Sequence, residues 1–136
     1  MNGSGAAFDF DLPYGEAGEN YARDVLGWTF RGGVKVEVKR KRRMDDWIYV
    51  ELRQNARGAG YWYPSGLAIT TADLWAYVVA GTGTILYFPT TLLRLAVSRE
   101  EGRYTETTDS DNPTEGRLMG VSRLLQLSGE EFANGP

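Results

Sequence analysis

The chain has 136 residues, 15 Lys+Arg against 18 Asp+Glu for a net charge of −3, and neither cysteine nor histidine. Without cysteine there is no disulfide framework, thiolate metal site or Cys nucleophile; without histidine there is no Ser-His or Cys-His catalysis and no imidazole-ligated metal. Any catalysis must run on carboxylates, Lys and Arg, hydroxyl groups and hard cations held by oxygen. The length suits one domain over residues 1–136. The longest apolar run, Leu74 to Ala80, is far short of the roughly 20 residues that span a bilayer. Met1 to Ala7 lacks the basic and apolar regions of an export signal, so a soluble, cytoplasmic protein is expected.

Residues 1–13 read as a loose arm. Tyr14 to Leu26 reads as a helix stopped by Gly27, with Glu19, Ala22 and Leu26 on one stripe and Val25 widening its apolar face. A carboxylate on a stripe that otherwise faces the core must be hydrated, paired or metal-bound, which singles out Glu19, with Glu16 one turn earlier.

Val34 to Lys39 alternates strictly, three valines on one side and Lys35, Glu37 and Lys39 on the other. After a charged turn, Trp47 to Arg53 alternates again. The two runs predict an antiparallel hairpin with Glu37, Lys39 and Glu51 on one face.

Gln54 to Gly60 reads as a loop and Tyr61 to Gly66 as an aromatic turn. Thr70 and Asp73 have capping-box spacing and predict a helix through Val79, ended at Gly81 to Gly83. Thr84 to Phe88 predicts a buried strand, and Pro89-Thr90 opens a helix to Arg99. The acidic stretch 100–116 reads as a mobile loop. A short strand or turn at Leu118 to Val121 and a helix at Ser122 to Leu127 close the chain. This order predicts an α/β domain, a small mixed central β-sheet flanked by helices.

Charge is segregated. Arg31 to Arg43 holds seven basic residues and one acid, Glu37, whereas Arg99 to Glu115 is acidic. Arg40, Lys41, Arg42 and Arg43 suit either gripping nucleic-acid phosphates or a solvated hairpin tip. Trp47, Tyr49, Tyr61, Trp62 and Tyr63 suit base stacking or, more commonly, packing.

A metal-dependent phosphodiesterase needs carboxylate oxygens for Mg²⁺ and an ammonium near the phosphoryl group. Glu37 and Lys39 place an acid and an ammonium side by side, Glu51 offers a second carboxylate and Glu19 a third. Glu-x-Lys alone also arises on solvated strands; its weight comes from the order of helix glutamate, Glu-x-Lys strand and second acid-bearing strand.

Gly18-Glu19 with Ala22 and Leu26, Val36-Glu37-Val38-Lys39, Tyr49-Val50-Glu51, Pro64-Ser65-Gly66-Leu67 and Thr70 to Tyr77 together resemble the PD-(D/E)XK nuclease superfamily. The likeness is to its small phage-encoded, Holliday junction resolvase-like members, and it runs from about Tyr14 to Tyr87. The resemblance implies a restriction-endonuclease-like fold, Mg²⁺ or Mn²⁺ dependence and cleavage of DNA phosphodiesters. It assigns Glu19 as the helix acid, Glu37 as a metal-binding acid and Lys39 as the catalytic lysine. The superfamily's usual upstream Asp has no counterpart, since residues 25–36 contain no acid and Asp24 falls on the helix. A second register makes Glu37 the upstream acid and Glu51-Leu52-Arg53 the final motif, so Glu51 joins the metal set in one reading and the motif in the other. Resolvase likeness also implies a homodimer. Two other functions fit: a non-catalytic nucleic-acid-binding or virion-associated protein that keeps the nuclease fold, and an interaction protein whose hairpin binds an acidic partner.

Overall fold

The computed structural model describes residues 33–55, 60–107 and 112–134. In chain order they form β1 (Val36–Lys41), β2 (Trp47–Gln54), β3 (Tyr63–Pro64), a single 3₁₀ turn (Gly66–Ala68), β4 (Leu74–Val79), β5 (Ile85–Pro89), α1 (Thr90–Ser98), β6 (Arg103–Thr107), β7 (Thr114–Gly120) and α2 (Val121–Asn134). The class is mixed α/β, as expected. Its strands are divided between two sheets, one of order β1-β4-β5 and one of order β3-β2-β7-β6. The expected arm at 1–13 and helix at Tyr14 to Leu26, with Glu16, Glu19 and Asp24, lie outside the described residues.

The described chain forms two compact units, residues 33–45 with 72–89 and residues 46–71 with 90–134. In the first, β4 lies between a parallel β1 and an antiparallel β5. Every residue of β4 from Trp75 to Val79 is buried. Ala76 and Val78 on one face of β4 pack with Val36, Val38 and Ile85. The entry to the β1-β4 ladder is tied by Asp73, whose carboxylate accepts the Lys35 N–H at 2.9 Å while its own N–H donates to the Lys35 carbonyl at 2.8 Å.

Two expectations are corrected here. Residues 70–79 are not a capped helix. An apolar run without polar interruption has no period to read, and six residues rich in Trp, Tyr and Val suit a strand buried on both faces. Nor do β1 and β2 pair as a hairpin. Alternation determines which side chains share a face, not which strand lies alongside; β1 pairs with β4, and β2 pairs with β3 and β7.

In the second unit, β2, β7 and β6 form an antiparallel sheet. The stretch 100–116 is therefore not a loop throughout: it supplies β6 and the start of β7. Its polar alternation hides a strand pair held by backbone bonds and by Thr107–Thr114 (2.8 Å) and Tyr104–Glu115 (2.6 Å) side-chain contacts. A register shift opposite Gly116 brings the Val50 carbonyl so close that no Cβ would fit there. Ile48, Val50, Leu67, Leu93, Ala96, Met119, Leu124 and Leu127 are buried in this unit. The last helix starts one residue earlier than expected and runs seven residues further, to Asn134. Asp46 caps it: its carboxylate accepts the Ser122 N–H at 2.9 Å and the Ser122 hydroxyl at 2.7 Å, and its carbonyl accepts the Val121 N–H at 2.7 Å.

Among the described residues no helix is long and apolar enough to cross a membrane.

Candidate active site

In the parallel β1-β4 ladder Glu37 is in register with Trp75, and Lys39 with Tyr77. Because side chains on a strand alternate, Glu37 and Lys39 stand on the face opposite Val36 and Val38. There the Lys39 ammonium lies 3.5 Å from the Glu37 carboxylate and 5.3 Å from the centre of the Trp75 ring. Both charged side chains keep contact with water, at 39% exposure for Glu37 and 32% for Lys39. Both groups are half-buried but keep a solvent-facing side through which a ligand could reach them.

The floor under this pair is aromatic. The Trp75 and Tyr77 rings are 6.3 Å apart and tilted, and Phe88 meets Tyr77 edge-on at 5.8 Å. Such offset arrangements stiffen a surface beyond simple burial, and an indole face attracts an ammonium through its quadrupole. Burial, and secondarily the charge of Glu37, hold the Tyr77 phenol far above its ordinary pKa, so it stays neutral. Among the described residues the buried Trp75 indole nitrogen has no hydrogen-bond partner.

Glu51 belongs to the second unit. Its carboxylate accepts the Ser65 hydroxyl at 2.7 Å, and Ser65 is itself only 3% exposed. The neighbouring Gly66, at φ 54°, lies so close to the Glu51 backbone that a Cβ would collide with its carbonyl. Tyr49, two residues earlier, bonds Thr114 at 2.8 Å; burial first, and then the charges of Glu51, Glu115 and Glu106, raise its phenol pKa against the opposing effect of that bond.

Of the sequence candidates, Glu37 and Lys39 are brought together; Glu51 stands in the other sheet rather than on the same one; Glu19 lies outside the described residues. Among the described residues no three acidic side chains gather closely enough to hold a metal. The basic stretch needs correction at one position. Lys41 is 8% exposed and ion-paired with Asp45, so it is not part of a free phosphate grip. It lies on the same β1 face as Glu37 and Lys39, and a buried ammonium demands a carboxylate partner. Arg42 is exposed, Arg43 is 83% exposed and reaches Asp45 at 3.8 Å, and Arg40 is half-buried. Trp47 and Tyr61 are exposed, whereas Trp62 and Tyr63 are half-buried.

Sequence reasoning missed Ser65 and Trp75 as neighbours of the charged residues. Pro64-Ser65-Gly66 signalled a turn, and only its return to β2 reveals what the hydroxyl touches. Compared with protein-family models, curated proteins and solved structures, the chain matches none.

Proposed function

We propose that this protein is a metal-dependent DNA endonuclease of the PD-(D/E)XK type, with Glu37 and Lys39 on β1 as its working core. The observation that supports it is the pairing of a water-accessible carboxylate with an ammonium on one sheet face, over a buried aromatic floor. Mg²⁺ takes oxygen donors and is commonly held by one or two carboxylates, with water and substrate phosphate completing its shell. Glu37 is the carboxylate that this reading gives to such an ion. A divalent ion held by Glu37 would supply polarisation of the phosphoryl oxygen and a lowered pKa for water. The chain's own contribution is the Lys39 ammonium, which stabilises negative charge developing on the phosphoryl group. Trp75 limits the directions in which that ammonium can point. Exposed Arg42 and Arg43 would hold phosphates flanking the scissile bond. Symmetric cutting of two strands would suit a homodimer.

The test is cleavage of supercoiled plasmid and of a synthetic four-way junction with Mg²⁺ or Mn²⁺. Nicking or resolution is expected for the native protein, reduced by at least about a hundredfold in Glu37→Ala and in Lys39→Ala, as for loss of a group that stabilises a transition state. A second reading, a nucleic-acid-binding protein that keeps the fold without the chemistry, draws on the exposed arginines and on the direct pairing of Glu37 with Lys39. Salt-sensitive DNA binding with no cleavage in either metal would favour it and overturn the first.

A further inference from the structure

We infer that Trp75 is a positioning residue that steadies the Lys39 ammonium for contact with a nucleic-acid phosphate. The inference rests on the reading of Lys39 as the group that meets that phosphate, and on no divalent cation. A lysine side chain loses more rotamer freedom than most others when it is held in one place. Alone on a strand it would be spread over many directions. Here two groups narrow them, both in the same compact unit as Lys39. The Glu37 carboxylate, two residues away on β1, attracts the ammonium at 3.5 Å. The Trp75 ring, brought alongside by the β1-β4 ladder, lies under it with its centre 5.3 Å away.

The two restraints differ in kind. An ion pair between side chains that both keep contact with water is weak and screened by salt. An indole face attracts the ammonium through its quadrupole and carries no net charge to repel a phosphate. Trp75 is wholly buried and packs against the Tyr77 ring at 6.3 Å, so it cannot turn away. The ring therefore steadies the ammonium and leaves its donors to an anion. Losing the ring lowers the fraction of Lys39 already in place, and apparent affinity falls by that fraction.

Binding of a labelled four-way junction in EDTA, followed by fluorescence anisotropy over a range of salt concentrations, tests this on the full chain. Lys39→Met should weaken binding and lower the slope of log affinity against log salt by about one. Trp75→Leu, which keeps apolar bulk without the ring, should weaken binding about two- to fivefold at unchanged slope. Trp75→Phe, which keeps a ring, should weaken it less. In a Lys39→Met background Trp75→Leu should cost nothing further, because its effect passes through the ammonium. A second measurement needs no Trp75 variant and decides the matter should Trp75→Leu not fold. Lys35, Lys39 and Lys41 are the lysines of the chain. The Lys39 Hε signals, identified by their loss in Lys39→Met, should lie upfield through the indole ring current and move when the junction is added. The inference is overturned if Lys39→Met or Trp75→Leu binds like the native chain, or if Trp75→Leu weakens binding equally without Lys39. It is overturned too if the Lys39 signals show no ring-current shift, or if the native chain binds no junction. Failure of the nuclease reading looks different: DNA bound through Lys39 and Trp75, with no plasmid or junction cleaved in Mg²⁺ or Mn²⁺, keeps this inference and removes that one.

Discussion

Glu100, two residues past the end of α1, adopts φ 56°, a left-handed conformation that costs any residue with a Cβ. The surrounding hydrogen bonds explain why it is held there. The Glu100 N–H donates to the Val97 carbonyl at 2.9 Å and the Glu101 N–H to the Ala96 carbonyl at 3.0 Å, the two bonds of a Schellman ending. Arg117 then donates to the carbonyls of Glu100, Glu101 and Gly102, placing positive charge where the helix dipole is negative. Replacing the residue in the left-handed position by glycine removes the strain and leaves the backbone bonds intact. Glu100→Gly should therefore stabilise the protein by about 0.5–1 kcal/mol, measured as a raised urea midpoint at unchanged slope. The sequence conceals this ending because Glu100-Glu101-Gly102 reads as a charge run, with the glycine two residues past the position that needs it.

At the scale of elements, the informative cases are β4 and α2. Thr70 and Asp73 carry the spacing of a helix cap, yet Asp73 turns its carboxylate to the Lys35 N–H and begins a strand. Local capping signals compete with burial, and six successive apolar side chains gain more from a central sheet position than a short helix can bury on one stripe. The helix that does need a cap, α2, takes it from Asp46, seventy-six residues away in the chain. Asp46→Ala should cost about 1 kcal/mol and fray the start of α2, read as a lowered thermal midpoint together with reduced helical circular dichroism. Glu37 and Lys39 were legible as neighbours because two-residue alternation on one strand is a local property. The predicted neighbourhood of Glu51 failed for the opposite reason, since which strand pairs with which is decided by the whole set of complementary faces.

For the molecule as a whole, a net charge of −3 opposes approach to a polyanion, so any DNA affinity must come from a local basic surface. The exposed arginines and the buried lysine of the same basic stretch separate cleanly in a salt titration. Arg42→Ala and Arg43→Ala should each weaken DNA binding and reduce the slope of log affinity against log salt by about one. Lys41→Ala should leave that slope nearly unchanged and instead destabilise the fold by about 1–2 kcal/mol, because it abolishes a charge-assisted bond made by a buried ammonium. Fluorescence anisotropy over a range of salt concentrations, with denaturant unfolding of the same variants, checks both halves.

Composition alone restricted the available chemistry to carboxylates, Lys and Arg, hydroxyl groups and cations held by oxygen, because the chain contains no imidazole or thiol. Period-two alternation was enough to set Glu37 and Lys39 apart from the valines, since the pleat of a strand is set by covalent geometry. Only the tertiary structure decided that β1 runs beside β4, that Trp75 lies under Lys39, that Ser65 holds Glu51 and that Lys41 is turned inward to Asp45. Each of those contacts joins side chains or strands by closing a loop, and the free energy that closes it comes from burying surfaces that no short window of sequence contains.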